Sequence, residues 1–228
     1  AFGAEAAAKA AKAAKARLFI QMSAIGANEA SSSAYARSKA RGEKNARAAF
    51  PGAIVLRPSI VFGPEDSFFN RFAELARFSP VLPLIGGGET KFAPVFAGDV
   101  GEAVAHLIDA GEADGRTYEL GGPEVFSFRQ LMQFTLSTIE RRRALISVPW
   151  TVARLQAVIM GLLPNPMLTT DQVELLKSDN VVSAEAEREG RTLKGLGITP
   201  SGIEGIVPAY LYRYRKAGQF TAPSGIPE

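Results

Sequence analysis

Apolar residues along this chain form short continuous runs that alternate with longer stretches of helical spacing. Residues 17–23 and 53–57 each hold such a run, with the length of a strand that is buried on both faces. Residues 5–15 are almost entirely alanine and lysine, which favour helix, so we predict a crossover helix before the first strand. A second helix and a Gly/Pro-closed loop separate the two runs. This βαβ order predicts a parallel sheet.

The second part of the chain mixes helical and strand patterns. The predicted elements, in order, are an aromatic amphipathic helix at 68–76, a strand and a helix at 91–100, a strand at 116–122, a helix at 128–139 and a final helix at 201–216. Asp99 and Ser127 have the side chains expected of helix N-caps. We assign the aromatic side of the first of these helices to the core, and the residues from 218 onward to a disordered tail.

Composition indicates a globular protein with no cysteine chemistry. The 228 residues are 46% hydrophobic, which is enough for one domain and a smaller appendage. Without cysteine, disulfides and thiolate metal sites are excluded, and the one histidine, His106, lies in an apolar helical run where a packing or surface role is expected. A net charge of +3, from 26 basic and 23 acidic residues, indicates a mixed surface and argues against a nucleic-acid partner. No stretch approaches the roughly 20 apolar residues of a membrane-spanning helix.

Tyr35 and Lys39 are the candidate catalytic pair. Their Tyr-x-x-x-Lys spacing places them one turn apart on one face of a helix, so the ammonium can lie under the phenol ring. A cation there is expected to favour the phenolate and to lower the tyrosine pKa from its usual value of about 10. Ser23, at the end of the preceding strand, would supply a hydrogen-bond donor to a substrate carbonyl oxygen. The alternative is an exposed helix that carries this short pattern by chance.

The order of strand, Ser23, helix with Tyr35 and Lys39, and second strand resembles part of the extended or atypical short-chain dehydrogenase/reductases, in the NAD-dependent epimerase/dehydratase superfamily. Within that superfamily, the chain is similar to bacterial relatives of the nucleotide-binding accessory subunit of respiratory complex I. The similar segments are residues 23–27, 35–39, 50–51, 57–59, 62–66, 68–73, 83–88, 179–182 and 196–200. The resemblance therefore extends over almost the whole chain.

The resemblance implies an α/β fold: the C-terminal half of a Rossmann-like, doubly wound parallel sheet plus a smaller, mostly helical domain on the substrate side. We assign residues 1–122 to the sheet domain, with 65–87 contributing to the small domain, and 123–228 to the small domain itself. No glycine-rich phosphate-binding loop stands between a strand and a helix. Because the family carries that loop upstream, we expect this chain to be the C-terminal part of a longer protein, with weak or no nucleotide affinity by itself.

A nicotinamide nucleotide is the cofactor that the resemblance implies, with NADP(H) favoured over NAD(H) and no metal. The implied cofactor-binding residues are Tyr35, Lys39, Pro58, Ser59 and Ile60. In one interpretation the cofactor is structural and the protein serves complex I, its assembly or a quinone-linked pathway such as ubiquinone synthesis. In the other, the protein is an active oxidoreductase or epimerase for a small carbonyl compound or a sugar nucleotide. Tyr35 is then the acid/base, while Lys39 lowers its pKa and holds the nicotinamide ribose, and Ser23 orients the carbonyl.

A basic cluster and an apolar helix stand next to each other later in the chain. Arg141, Arg142 and Arg143 precede an apolar stretch at residues 150–163. Such a combination is typical of a membrane interface or a hydrophobic partner, and burial of the helix within the small domain is the alternative. The expected partners are therefore the nucleotide, complex I subunits and a membrane surface, without nucleic acid. The expected location is the bacterial cytoplasm, with peripheral attachment to the inner membrane.

Overall fold

Short strands and the helices between them make up the computed structural model, which describes residues 2–161, 168–216 and 218. The strands are β1 (Ile20–Met22), β2 (Ile54–Pro58), β3 (Val61–Phe62), β4 (Val81–Ile85), β5 (Lys91–Phe92), β6 (Val95–Phe96), β7 (Thr117–Leu120), β8 (Phe126–Ser127) and β9 (Ala144–Val148). The helices are α1 (Phe2–Ala13), α2 (Ala34–Ala49), α3 (Phe69–Phe78), α4 (Ala97–Ala110), α5 (Phe128–Thr138), α6 (Trp150–Met160), α7 (Thr170–Leu175), α8 (Ala184–Arg188), α9 (Ile203–Ile206) and α10 (Pro208–Leu211). Single turns of 3-10 helix lie at Gly86–Gly88, Lys194–Leu196 and Tyr212–Tyr214.

The central sheet has three parallel strands in the order β1-β2-β7. Met22 lies opposite Leu56, which in turn lies opposite Tyr118. Helix α2 connects β1 with β2, as the βαβ pattern predicted, and α1 packs against α2. The remaining strands form three pairs: β3 with β6 and β4 with β9 are parallel, and β5 with β8 is antiparallel. The parallel sheet with its helices confirms the predicted α/β class.

Two hydrophobic cores hold most of the buried side chains. One lies between the central sheet and α4, where Leu56 and Leu120 meet Leu107. The other joins α3, β4 and α5, and Phe69 and Leu84 are fully buried in it. The aromatic side of α3 therefore belongs to the core, as predicted. We propose that these two cores correspond to the sheet domain at 1–122 and to the small domain, with 65–87 contributing to the latter.

Two of the local predictions were wrong. Helix α4 begins at Ala97, so Asp99 is its third residue and not its N-cap; its carboxylate instead accepts hydrogen bonds from the Ser201 amide at 2.6 Å and the Ser201 hydroxyl at 2.9 Å. The final helix is broken into α9, α10 and a 3-10 turn. Pro208 causes the break, because proline has no N–H to continue the helical hydrogen bonds. Ser127, by contrast, is confirmed as an N-cap, in a reciprocal capping box with Gln130.

The predicted apolar helix at 150–163 corresponds to α6, which ends at Met160. Trp150 begins α6 and packs its indole ring over Gly86, where any side chain would collide with it. Residues 162–163 lie outside the described part of the chain, and so does the predicted tail apart from Gly218. Within the described residues, no helix has both the length and the apolar character needed to cross a membrane.

Candidate functional site

Ser23, the first residue after β1, is hydrogen-bonded to the buried carboxylate of an ion pair between Glu43 and the partly buried Arg57. Its hydroxyl donates to Oε1 of Glu43 at 2.5 Å. Arg57 on β2 donates to both Glu43 oxygens, from Nε at 2.9 Å and from Nη2 at 2.6 Å. Ser23 and Glu43 are each only 4% exposed. Because β1 and β2 run in parallel, this bidentate pair and the serine form a fixed polar cluster at the carboxyl edge of the sheet.

This cluster limits what Ser23 can offer to a ligand. A hydroxyl has one hydrogen to donate and two lone pairs to accept with. Since the hydrogen goes to Glu43, only the lone pairs remain, and donation to a substrate carbonyl would require the bond to Glu43 to break. The hydrogen bonds to Glu43 also raise the pKa of Arg57, so the guanidinium keeps its charge. The catalytic role of Ser23 stays a prediction.

Tyr35 and Lys39 lie on one face of α2, as their spacing predicted. The Lys39 Nζ atom is 5.4 Å from the centroid of the Tyr35 ring, which is a cation–π distance. Tyr35 is 45% exposed. Burial of the other half of the side chain raises the pKa of Tyr35, because the phenolate is poorly solvated there. The expected lowering of this pKa by Lys39 is therefore not observed, and the catalytic roles of both residues stay predictions.

The sequence analysis missed Glu43 as a site residue, although a signal was present. Glu43 continues the four-residue spacing of Tyr35 and Lys39 on α2, so all three stand on neighbouring turns of one helix face. A buried glutamate needs a partner, and the chain supplies Arg57 fourteen residues later. The helix that carries the candidate pair is thereby anchored to the central sheet.

Pro58, Ser59 and Ile60, the residues predicted to contact the cofactor, take part in hydrogen bonds within the protein. The Pro58 carbonyl accepts from the Ile25 amide at 3.0 Å, and the Ile60 carbonyl accepts from the Val95 amide at 2.9 Å. Ser59 is buried, with its Oγ 2.7 Å from Oδ1 of Asn180. These contacts fix the loop after β2 beside the loop after β1. Binding of a nicotinamide by this loop stays a prediction.

Asn180 is a second site residue that the sequence analysis missed, although it falls in one of the segments of resemblance. Its side-chain amide donates to the Ile25 carbonyl at 3.2 Å, and its side-chain and backbone oxygens both lie within hydrogen-bond distance of Ser59 Oγ. Its backbone amide also donates to the Lys91 carbonyl at 2.8 Å. A single asparagine therefore ties together the two loops at the carboxyl edge and β5.

The start of α2 is covered by acidic side chains from α7. The Asp171 carboxylate accepts from the Ala34 amide at 2.6 Å, from the Tyr35 amide at 3.2 Å and from the Ser33 hydroxyl at 3.0 Å. Glu174 accepts from the Ser32 hydroxyl at 3.2 Å. Amide groups at a helix N-terminus favour a negative charge, so Asp171 stabilises α2 at the turn that carries Tyr35.

The described residues include no group of histidine, cysteine, aspartate and glutamate side chains that could hold a metal ion. His106 is exposed on α4, which agrees with the surface role considered for it. The polar groups next to the candidate pair include Ser23, Ser59, Asn180 and the Glu43–Arg57 pair. Such groups can orient a polar ligand and exchange protons with it.

Two curated relatives are mitochondrial proteins named NADH dehydrogenase (ubiquinone) 1 alpha subcomplex subunit 9. The one from Arabidopsis thaliana is 35% identical over 210 residues, covering 88% of this chain and 51% of that protein. The one from Mus musculus is 34% identical over 199 residues, covering 86% of this chain and 52% of that protein. The chain thus spans about half the length of these relatives. No model of a protein family matches it.

A shorter similarity links the chain to an enzyme. Ceramide reductase of Caulobacter vibrioides is 49% identical over 83 residues, which are 36% of this chain and 26% of that protein.

Solved structures with the same fold include two sugar-nucleotide enzymes. DesIV, a dTDP-glucose 4,6-dehydratase of Streptomyces venezuelae solved with NAD and TYD bound, has a TM-score of 0.66 at 18% identity, covering 93% of this chain and 64% of that one. UDP-glucose 4-epimerase of Thermotoga maritima has a TM-score of 0.63 at 16% identity, covering 92% of this chain and 67% of that one. These similarities confirm the predicted Rossmann-like α/β fold.

Proposed function

Since the chain is a relative of the alpha subcomplex subunit 9 of mitochondrial NADH dehydrogenase, we propose that it is part of a nicotinamide-nucleotide-binding protein whose cofactor is structural. The observation that carries this proposal is the hydrogen bond from the buried Ser23 hydroxyl to Glu43. It commits the serine hydrogen within the protein, while the raised pKa of Tyr35, caused by burial, makes its phenol a weaker acid. Both features favour holding a ligand over transferring a proton to it.

The proposal also includes a specific cofactor and specific protein partners. NADP(H) is preferred to NAD(H) on the resemblance alone, and Tyr35, Lys39, Pro58, Ser59 and Ile60 contact its nicotinamide half. The protein partners are complex I subunits, with a role in complex I or in a quinone-linked assembly at the cytoplasmic side of the bacterial inner membrane. The similarity to subunit 9 proteins over most of this chain supports the complex I assignment.

An active reductase is the second candidate function. The retained Tyr35 and Lys39 favour it, since Lys39 lies one turn below the phenol. The similarity to ceramide reductase favours it too. In this function a nicotinamide nucleotide would supply the hydride, Tyr35 would give a proton to the carbonyl oxygen, and Lys39 would hold the nucleotide ribose. Ser23 then exchanges Glu43 for the carbonyl oxygen as its hydrogen-bond partner.

Nucleotide turnover separates the two functions. We expect the full-length protein that contains this chain to retain NADPH through purification, to co-purify with complex I subunits and to oxidise no NADPH with a panel of carbonyl compounds. The measurement is nucleotide content followed by NADPH absorbance over time. Steady oxidation that falls by about 100-fold or more in Tyr35→Phe would instead establish the reductase. Tyr212→Phe is the matched control, because Tyr212 is similarly exposed, at 41%, and lies outside the site.

Helix α6 is the element that we propose for the membrane surface. Leu155 and Ile159 are about 60% exposed and Val152 is 44% exposed, and their spacing places them on one side of the helix. The buried side, with Ala153 and Ala157, packs against Ile85 and Val173. Burial of α6 is therefore confined to one side of the helix. The cluster Arg141–Arg143 precedes β9 while α6 follows it, so about 16 Å of strand separates the cluster from the start of the helix.

Flotation with anionic liposomes tests this assignment. We expect Leu155→Glu to reduce the floating fraction at least about fivefold, because a charge in the apolar stripe opposes insertion into the interface. Gln156→Glu adds the same charge beside the stripe and is expected to have a smaller effect. Equal flotation of the unaltered protein and Leu155→Glu would contradict the assignment.

A further inference from the structure

The two-stranded sheet of β4 and β9 has one free edge that is open to pairing. Ala144 donates its amide to the Pro80 carbonyl at 3.1 Å, and Val81 lies opposite Ala144 in the parallel register. In a parallel pair, every second residue directs its N–H and C=O toward the neighbouring strand. Ala144, Ile146 and Val148 therefore face β4, while the N–H and C=O groups of Leu145 and Ser147 point away from it. Within the described parts of the chain, these outward groups have no backbone partner.

The two edges of this sheet differ in a way that matters for pairing. Pro83 stands at an outward-facing position of β4 and has no N–H, so it blocks the addition of a strand on that side. The sequence of β9, from Ala144 to Val148, contains no proline and no charged residue that would block pairing. Ile146 is also 50% exposed on one face of the strand. Only the β9 edge is thus able to accept another strand.

Positive charge surrounds this edge. Arg142 is exposed just before β9, and within the described residues no carboxylate forms a salt bridge with Arg141, Arg142 or Arg143. Burial of the Arg141 side chain lowers its pKa, and the neighbouring charges of Arg143 and Arg77 lower that pKa further. At the other end of β9, Nη2 of Arg129 is 3.4 Å from the Ser147 hydroxyl and also donates to the Gly87 carbonyl, while its Nε lies 3.9 Å from the exposed Glu89 carboxylate. Both ends of the free edge therefore carry an arginine.

We propose that the free edge of β9 binds an extended acidic segment of a partner protein by adding it as a strand. The segment's backbone bonds the outward N–H and C=O groups of Leu145 and Ser147, and its carboxylates contact Arg142 and Arg129. A second copy of the chain fits less well, because antiparallel pairing of two β9 strands brings Arg142 of one copy toward Arg129 of the other. A lipid surface offers phosphate charge but no matching series of backbone donors and acceptors. This site is independent of nucleotide binding.

The test uses a short fluorescein-labelled peptide of alternating glutamate and valine, with fluorescence anisotropy as the readout. We expect saturable binding that weakens about tenfold or more in Ser147→Pro, which removes an outward N–H as Pro83 does on β4. Ser147→Ala, the matched control, should bind like the unaltered protein. Arg142→Glu should weaken binding about three- to tenfold, with an effect that shrinks as salt is added. The same peptide with its backbone amides methylated should not bind.

The remaining outcomes would overturn the proposal. Absence of peptide binding, or equal binding by the methylated peptide, would show that the strand edge is not used. A concentration-dependent dimer that Ser147→Pro abolishes would assign the edge to self-association. Binding to phosphatidylglycerol vesicles that Arg142→Glu abolishes and Ser147→Pro leaves unchanged, without peptide binding, would assign the arginines to lipid. The methylated peptide is tested on the unaltered protein, so its result does not depend on the folding of a variant.

Discussion

Glu43→Ala should lower the free energy of unfolding by about 3 kcal/mol or more. The substitution leaves the Arg57 guanidinium, whose side chain is only 24% exposed, without the carboxylate that binds it in bidentate fashion. It also removes the acceptor of the buried Ser23 hydroxyl. Both losses act in the same direction, because a partly buried charge and a buried hydroxyl each need a partner. Urea denaturation followed by circular dichroism measures the change.

The control for this prediction is the exposed pair of Glu29 and Lys44. Their charged atoms are 3.3 Å apart, and their side chains are 50% and 70% exposed. Solvent screens such a pair, so Glu29→Ala should change the free energy of unfolding by less than about 0.5 kcal/mol. Ser23→Ala should lower the free energy of unfolding by about 1 kcal/mol, which lies between the effects of Glu29→Ala and Glu43→Ala. If Glu43→Ala and Glu29→Ala unfold at the same urea concentration, the Ser23–Glu43–Arg57 cluster does not stabilise the fold as we argue.

Phe69→Ala should be similarly damaging, lowering the free energy of unfolding by about 4 kcal/mol. Phe69 is completely buried in the core of α3, β4 and α5. Its ring lies 5.2 Å from the centroid of Phe68 and about 6 Å from those of Phe62 and Phe134. Truncation to alanine therefore removes a large apolar surface and several edge-on ring contacts, and it leaves a cavity among rigid neighbours. Thermal and urea unfolding both report this loss.

Phe78, at the other end of α3, is the matched control for Phe69. Its side chain is 77% exposed and lies near Arg77, at a cation–π distance of 5.4 Å. Phe78→Ala keeps the same change of residue type in the same helix but removes little buried surface. We expect it to alter the free energy of unfolding by no more than about 0.5 kcal/mol. Comparable effects of the two substitutions would mean that the aromatic side of α3 is not the core side.

The sequence alone was sufficient for the elements whose signals are local. The order of strand, helix and strand around Tyr35 predicted the parallel pair β1 and β2, and the Ser127 cap and the aromatic core side of α3 were predicted correctly. Within each strand or helix the deciding residues lie within a few positions of one another, so spacing and propensity report the type of element directly. Pro208, which breaks the last helix, is an equally local signal, but the prediction of a single helix at 201–216 overlooked it.

The polar contacts of the candidate site depend on chain packing that spacing does not report. Arg57 and Glu43 are fourteen residues apart, and Asp99 meets Ser201 across 102 residues. Asn180 reaches Ile25 across 155 residues. The sequence placed a serine, a tyrosine and a lysine at one sheet edge. Only the tertiary structure showed that the Ser23 hydroxyl donates its hydrogen to Glu43. Whether a hydroxyl donates to a ligand or to a buried carboxylate depends on which groups the folded chain brings within hydrogen-bond distance of it.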